Sequence, residues 1–183
     1  MIRIGLLGPD DASELFAALE RSHALHEPWM TPPGSEEEVR DSLDAPADVR
    51  LSYGVREETG QLAGVININA IIRGAFLNGF LGYYALSPYE ARGYMHAGLA
   101  SVLERAFREH GLHRVEANVQ PGNARSARLV QGLGFRLEGH SPRYLKIGDE
   151  WRDHDRYALT VEEWGTPRSA AQEARRSGSG TAG

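Results

Sequence analysis

Cysteine does not occur among the 183 residues, which rules out disulfides, thiolate nucleophiles and cysteine-ligated metals. No apolar run reaches membrane-spanning length. The opening MIRIGLLGPDD has an apolar patch too short for a signal peptide, and it meets two aspartates at once. The expectation is a soluble, cytoplasmic protein with no membrane partner. An excess of positive charge is missing too: the formal net charge is −5, which argues against direct nucleic-acid binding. Zinc-ligand spacing is absent, and no metal is expected. The cluster WRDHD at 151–155 reads as strand, where Asp153 and Asp155 project to one side and His154 to the other, so the three cannot converge on one ion.

The charge that is present is unevenly spread. Residues 1–60 hold 13 acids and five arginines, and 61–183 hold 12 acids and 15 bases. The acidic first third is either a solvated face or a surface that greets a cationic substrate; charge alone does not choose. The length suits one domain with a sizeable core, placed at 1–164. A Ser/Ala/Arg/Gly tail at 165–183 is expected to be disordered.

Asp11 followed by Glu14 fits a capping box opening a first helix, and Ser35 with Glu38 fits the same pattern for a second. Two strand-like runs flank residues 57–60 as a hairpin, and a third run covers 75–86. Leu99, Val102, Leu103, Ala106, Phe107 and His110 form one stripe of an amphipathic helix that Gly111 stops. Then come a strand at 113–120, a short helix after the turn at 121–123, and two final strands around the turn KIGDE. Strands and helices alternate through the middle, so the periodicity implies an α/β sheet with helices on both faces.

The stretch SPYEARGYMHAGLASVL at 87–103 joins an apolar strand to that helix through a tight turn. A helix start leaves N–H groups unpaired and carries partial positive charge, so it suits an anion such as pyrophosphate. Gly93 permits close approach and Arg92 adds charge, although spacing alone also fits a plain turn. Asn123 and Ser126, three apart, likewise suit a helix N-cap and its first turn.

Over a longer window the order is strand, turn, Arg92-Gly93-Tyr94-Met95, amphipathic helix, strand, then NARSARLVQGLGF. This resembles the Gcn5-related N-acetyltransferase (GNAT) superfamily, whose pyrophosphate loop reads Gln/Arg-x-x-Gly-x-Gly/Ala. Gly93 matches the glycine; Glu90 and Met95 depart from the first and last positions, and Arg92 offers a neighbouring charge. The segment from His113-Arg114 through Ala117-Asn118, Pro121, Asn123, Arg125-Ser126, Leu133-Gly134-Phe135 and Glu138-Gly139 to Trp151-Arg152-Asp153-His154 is similar to the RimJ/RimL branch, RimJ-like members in particular. The likeness is dense from Leu81 to Trp164; before that, PWM at 28–30 is the main echo.

The resemblance implies a mixed, mostly antiparallel sheet in which two parallel central strands, 80–86 and 113–120, splay into a V. Backbone groups of Tyr84, Ala85 and Leu86 would then bond the pantetheine arm of acetyl-CoA. One N–H there would face the thioester carbonyl, a donor worth roughly 3–4 kcal/mol to the oxyanion. Amides of Arg92, Gly93, Tyr94, Met95, His96 and Ala97 would hold the pyrophosphate. Asn123 would contact the cofactor, and Ser126 would lie near the sulfur and protonate the leaving thiolate. The tyrosine that many members place four residues on is Val130 here. The RimL-type glutamate base falls near Leu145, which leaves Glu116 as the available carboxylate, ahead of Tyr144 and His154. Trp29, Tyr83 and Tyr144 are candidates to line a peptide slot.

Freeing the lone pair of an α-amine of pKa about 8 costs roughly 1.4 kcal/mol at pH 7, and of a lysine, about 10.4, roughly 4.6 kcal/mol. A site without a strong base therefore favours α-amines. The leading expectation is acetyl transfer to a protein N-terminus, with a ribosomal protein as the family's usual substrate, by a monomer or homodimer. The alternatives are a small amine such as a polyamine or antibiotic, and a non-catalytic acyl-CoA-binding module.

Overall fold

In the computed structural model, which describes residues 1–27 and 29–165, the runs flanking 57–60 become β2 (Arg50–Arg56) and β3 (Leu62–Ile72), antiparallel with Gly54 opposite Val65. The run after them becomes β4 (Asn78–Ala85), antiparallel to β3. A short edge strand β1 (Arg3–Leu6) pairs with β2. Beyond the amphipathic helix α4 (Tyr94–Arg108) come β5 (Arg114–Val119), the helix α5 (Ala124–Gly132), and a long hairpin of β6 (Arg136–Ile147) and β7 (Glu150–Thr160). The sheet order is β1-β2-β3-β4-β5-β7-β6, and β4/β5 is its parallel pair. Of the expected tail, all but Gly165 lies outside the described residues, as does Pro28 of the PWM echo.

Strand alternation sorts the apolar side chains into two cores. Tyr53, Val55, Ile66 and Ile68 meet Leu99, Val102 and Leu103 of α4 on one face. On the other, Val65 and Leu86 meet Leu15 and Leu19 of α1 (Ala12–Arg21) and Val39 and Leu43 of α3 (Glu36–Leu43). A short helix α2 (His23–His26) follows α1, and α6 (Val161–Trp164) closes the described chain. Each fully buried Leu or Val contributes about 1.5–3 kcal/mol, so α4 is firmly seated and its N-terminus is fixed against the sheet.

The helix starts differ in part from expectation. Ser35 caps α3 by accepting from the Glu38 amide at 3.2 Å, but the Glu38 carboxylate turns to the Gly34 amide at 2.8 Å. Asp11 precedes α1 without a side-chain cap bond. Instead Asp11 and Glu14 clamp Arg56 at 3.0 and 2.7 Å, tying α1 to β2.

The feature that positions the site is the shortness of the parallel ladder. It runs only from Asn78 opposite Arg114 to Leu81 opposite Ala117. β4 stays paired with β3 as far as Ala85, and β5 with β7 as far as Val119. Each strand keeps its outer neighbour and leaves its inner one. The result is a V that opens above Leu81 and Ala117.

Candidate active site

The V widens into a cleft of about 1030 Å³ whose wall includes residues 82–85, 89–96 and 118–120. Backbone alternation decides what β4 offers it. The Leu86 amide donates to the Ala63 carbonyl at 2.9 Å, so Leu86 and, two residues earlier, Tyr84 bond towards β3. Tyr83 and Ala85 turn their N–H and C=O groups into the V. The expectation of a free backbone at Leu86 is therefore corrected: its amide is used by the sheet and its side chain is 0% exposed in the core. Tyr84 offers the cleft its side chain rather than its backbone. The Ala85 carbonyl accepts from His26 Nε2 at 2.8 Å. Burial pushes His26 below the usual histidine range, against the Ala85 bond and with help from His23.

At the other end of the cleft, Gly93 caps α4 with φ +78°, a left-handed conformation that an L side chain enters only with strain. A Cβ there would meet nothing within 4 Å, so the glycine serves conformation, not space. The turn directs the amides of Tyr94, Met95 and His96 outwards without intrahelical partners. Ala97 is a second correction: its amide donates to the Gly93 carbonyl at 3.2 Å, so the row of free amides ends at His96. Arg92, stacked over Tyr89 at 5.4 Å, shares this end of the wall with Arg125 and Arg128, neither of which the sequence had marked as a site residue. Glu90, the unexpected carboxylate, turns back to Ser87 at 3.5 Å.

Asn123 caps α5, its Oδ1 accepting from the Ser126 amide at 3.1 Å. This fixes Ser126, whose Oγ lies 2.6 Å from the Tyr83 hydroxyl. Tyr83 was expected in the acceptor slot, but alternation places it on the α4/α5 face, packed against that core. A tyrosine from β4 thus meets the serine, although position 130 on α5 is valine. Burial pushes the Tyr83 phenol up to about 12 despite the opposing Ser126 bond. It remains a proton donor at any working pH.

Glu116 does not reach the cleft. It sits where β4 and β5 are still paired, opposite Phe80, and its carboxylate takes Arg114 Nε at 3.0 Å and Asn78 Nδ2 at 3.4 Å. Arg114 also holds Glu138, which Arg136 joins to Glu163. The Arg114 bond, with Arg136, holds the Glu138 carboxyl down at about 2 against burial. Glu116 belongs to this ionic brace, and the expected role as base is corrected on that ground.

The opposite face of the sheet supplies the other half of the cleft, the candidate acceptor wall: Arg50, Asn67, Tyr84, Asn118 and His154, with Trp29 and Tyr144 at the rim. His154, 3% exposed, donates from Nδ1 to the Arg152 carbonyl at 3.0 Å, which leaves Nε2 as the acceptor nitrogen. Its ring lies 5.7 Å from that of Tyr144, whose hydroxyl takes Asn118 Nδ2 at 3.3 Å. As strand alternation requires, Asp153 and Asp155 lie on the other side, at 3.3 and 2.9 Å from His140. Trp29 packs over Gly122 and accepts from Gln120 through its carbonyl at 3.0 Å. Asn67 and Asn69 were legible as a polar face in VININ, where they alternate with isoleucines.

A mixed sheet with a V between parallel strands, a left-handed glycine at a helix start and paired hydroxyls beside the gap defines an acyl-CoA site. The chain belongs to the acetyltransferase (GNAT) domain family, whose model matches residues 2–136 and whose acyl donor is acetyl-CoA. Proteins named as ribosomal-protein alanine acetyltransferases and as RimJ are among those it is similar to. The [Ribosomal protein uS5]-alanine N-acetyltransferase of Escherichia coli (strain K12) is 36% identical over 104 residues, covering 57% of this chain and 54% of that protein. The match thus spans about half the length of that curated relative. Mycobacterium smegmatis RimJ in complex with CoA-disulfide superposes with a TM-score of 0.79 at 28% identity, covering 97% of this chain and 89% of that one. The ribosomal-protein-S5-alanine acetyltransferase from Vibrio fischeri shares the fold, with a TM-score of 0.81 at 23% identity over 90% and 96% of the two chains. No helix among the described residues is long and apolar enough to cross a membrane.

Proposed function

We propose that this chain transfers an acetyl group from acetyl-CoA to the free α-amine of a protein N-terminus, by direct attack on the thioester. The carrying observation is the V with Ser126 and Tyr83 on one side and a carboxylate-free acceptor wall on the other. Among the described residues the only carboxylate on the cleft wall is Glu90, at the phosphate end. The base on that wall is then an imidazole, and an α-amine of pKa about 8 gives up its proton more readily than a lysine near 10.4. The ribosomal acceptor named for the Escherichia coli relative makes a ribosomal protein the first substrate to try.

Each step falls to a group already placed. The amides of Tyr94, Met95 and His96, with Arg92, Arg125 and Arg128, hold the phosphates; Asn123 and the Tyr83 and Ala85 backbone hold the pantetheine arm. A β4 amide facing the V stabilises the oxyanion, a donor worth roughly 3–4 kcal/mol. His154 Nε2 takes the amine proton, directly or through one water. As the C–N bond forms and the C–S bond breaks, Ser126 gives a proton to the departing sulfur and regains one from Tyr83. Water reprotonates Tyr83 as His154 releases the amine proton to solvent, which restores both groups. The test is a mass-spectrometric screen of peptides with free and blocked N-termini, lysine-bearing peptides and polyamines, with thiol release recorded. Acetylation of free N-termini is expected. Acetylation confined to polyamines, or coenzyme A binding without transfer to any acceptor, overturns the reading.

A further inference from the structure

Arg50 opens β2 half-buried on the acceptor wall, on the sheet face that carries Asn67, Asn69 and Tyr84. Its Nε donates to Ser52 Oγ at 3.2 Å, and no carboxylate among the described residues pairs with its guanidinium. Two other arginines of the first sixty residues are paired: Arg40 with Glu36 at 2.6 Å, and Arg56 with Asp11 and Glu14. The acids of that segment do not line the cleft. Burial works against the Arg50 charge, and Tyr84 is the neighbour that favours it. Arginine does not discharge, so the protein keeps a partly dehydrated cation facing an open site. Such a group gains most from a carboxylate, which binds it through two parallel hydrogen bonds. Nearby Asn67, 5% exposed, has a carboxamide oxygen with no partner, ready for a ligand N–H.

We propose that the acceptor carries a carboxylate one or two residues beyond its reacting amine, and that Arg50 binds it. The register sets the spacing. Arg50 lies opposite Asn69, and Asn69 opposite Phe80, three residues before Tyr83. At about 4.8 Å per strand and about 3.3 Å per residue, the Arg50 and Tyr83 backbones are roughly 14 Å apart. The arginine side chain covers about half of that, and one or two extended residues at about 3.3–3.6 Å each span the rest. The acceptor class is therefore an N-terminus with Asp or Glu at its second or third position. A polycationic amine meets a like charge at the same place. This rests on the acetyl-transfer reading above.

The experiment compares Ala-Glu and Ala-Gln peptides, and the same pair with the acid at position three, identical otherwise, on wild type, Arg50→Lys and Arg50→Gln. The wild type is expected to favour the acidic peptide by at least tenfold in kcat/KM, carried by KM. Arg50→Gln brings the two peptides to within twofold of each other, and Arg50→Lys keeps part of the gap. Equal rates on both peptides in the wild type overturn the proposal. So does a loss in Arg50→Gln that is the same for both, which marks a scaffold role. Calorimetry with the N-acetylated peptides, which cannot react, reads binding alone. A tenfold preference there without any turnover keeps the carboxylate site and rejects acetyl transfer. Turnover of both peptides without preference does the reverse.

Discussion

Ser126 and Tyr83 share one hydrogen bond of 2.6 Å, and their removal tests whether they act as a unit. Ser126→Ala and Tyr83→Phe are each expected to lower kcat by roughly 10²-fold, the lower end for a general acid. The double variant should lose little more than the worse single one, because both changes break the same proton path. Single-turnover kinetics with saturating acetyl-CoA checks this. His154→Gln should lower kcat by a similar factor, whereas Glu116→Gln should leave kcat within twofold. Breaking the Arg114 pair should instead lower stability by about 1–3 kcal/mol, read by urea unfolding. The place of Ser126 in the first turn of a capped helix was legible from spacing, and its position near the sulfur was an expectation of the family likeness alone. Its contact with Tyr83 was not legible, because only the true strand face tells which side of β4 carries Tyr83 and which Tyr84. Glu116 misled for a related reason: its place in the strand was read correctly, but the level at which the V opens is a long-range property of pairing.

At the scale of the element, the turn before α4 carries most of the cofactor contacts proposed above. Gly93→Ala keeps the space but strains φ +78°, at a cost of about 1–2 kcal/mol. The relaxation that follows should tilt the Tyr94, Met95 and His96 amides and weaken coenzyme A binding by at least tenfold in calorimetry. The position of α4 was evident from its periodic apolar stripe, and the hairpin at 57–60 from its two flanking runs. β1 was not expected as a strand: four residues with a glycine among them show too little alternation to stand out from a loop, and pairing with β2 makes the strand. Asp11 and Glu14 had the spacing of a capping box for α1, but Arg56, distant in sequence, binds both carboxylates, and the other Asp11 oxygen accepts from the Gly8 amide at 2.9 Å, ahead of the helix.

For the whole molecule, the ionic brace of Arg114, Glu116, Arg136, Glu138 and Glu163 joins β5, β6 and α6. The Glu138 carboxyl is held at about 2 in the fold, below its ordinary 4.5. A depressed pKa contributes stability that is complete above the unfolded value and fades as pH falls through the folded one. Thermal midpoints should therefore drop between pH 4.5 and 2 more steeply in the wild type than in Glu138→Gln, as scanning calorimetry at pH steps will show. The two faces of the sheet were foreseeable from the alternation of strands and helices. The division of labour between them was not, since it depends on which polar residues escape coverage by α1, α3 and α4.

The brevity of the β4/β5 ladder has a dynamic counterpart. Tyr83 and Ala85 donate their amides to no strand across the V, so solvent deuterium should reach them quickly while those of Leu86 and the four-pair ladder stay slow. Adding coenzyme A should retard the same two positions and few others, turning a static gap between strands into a residue-resolved signal of occupancy.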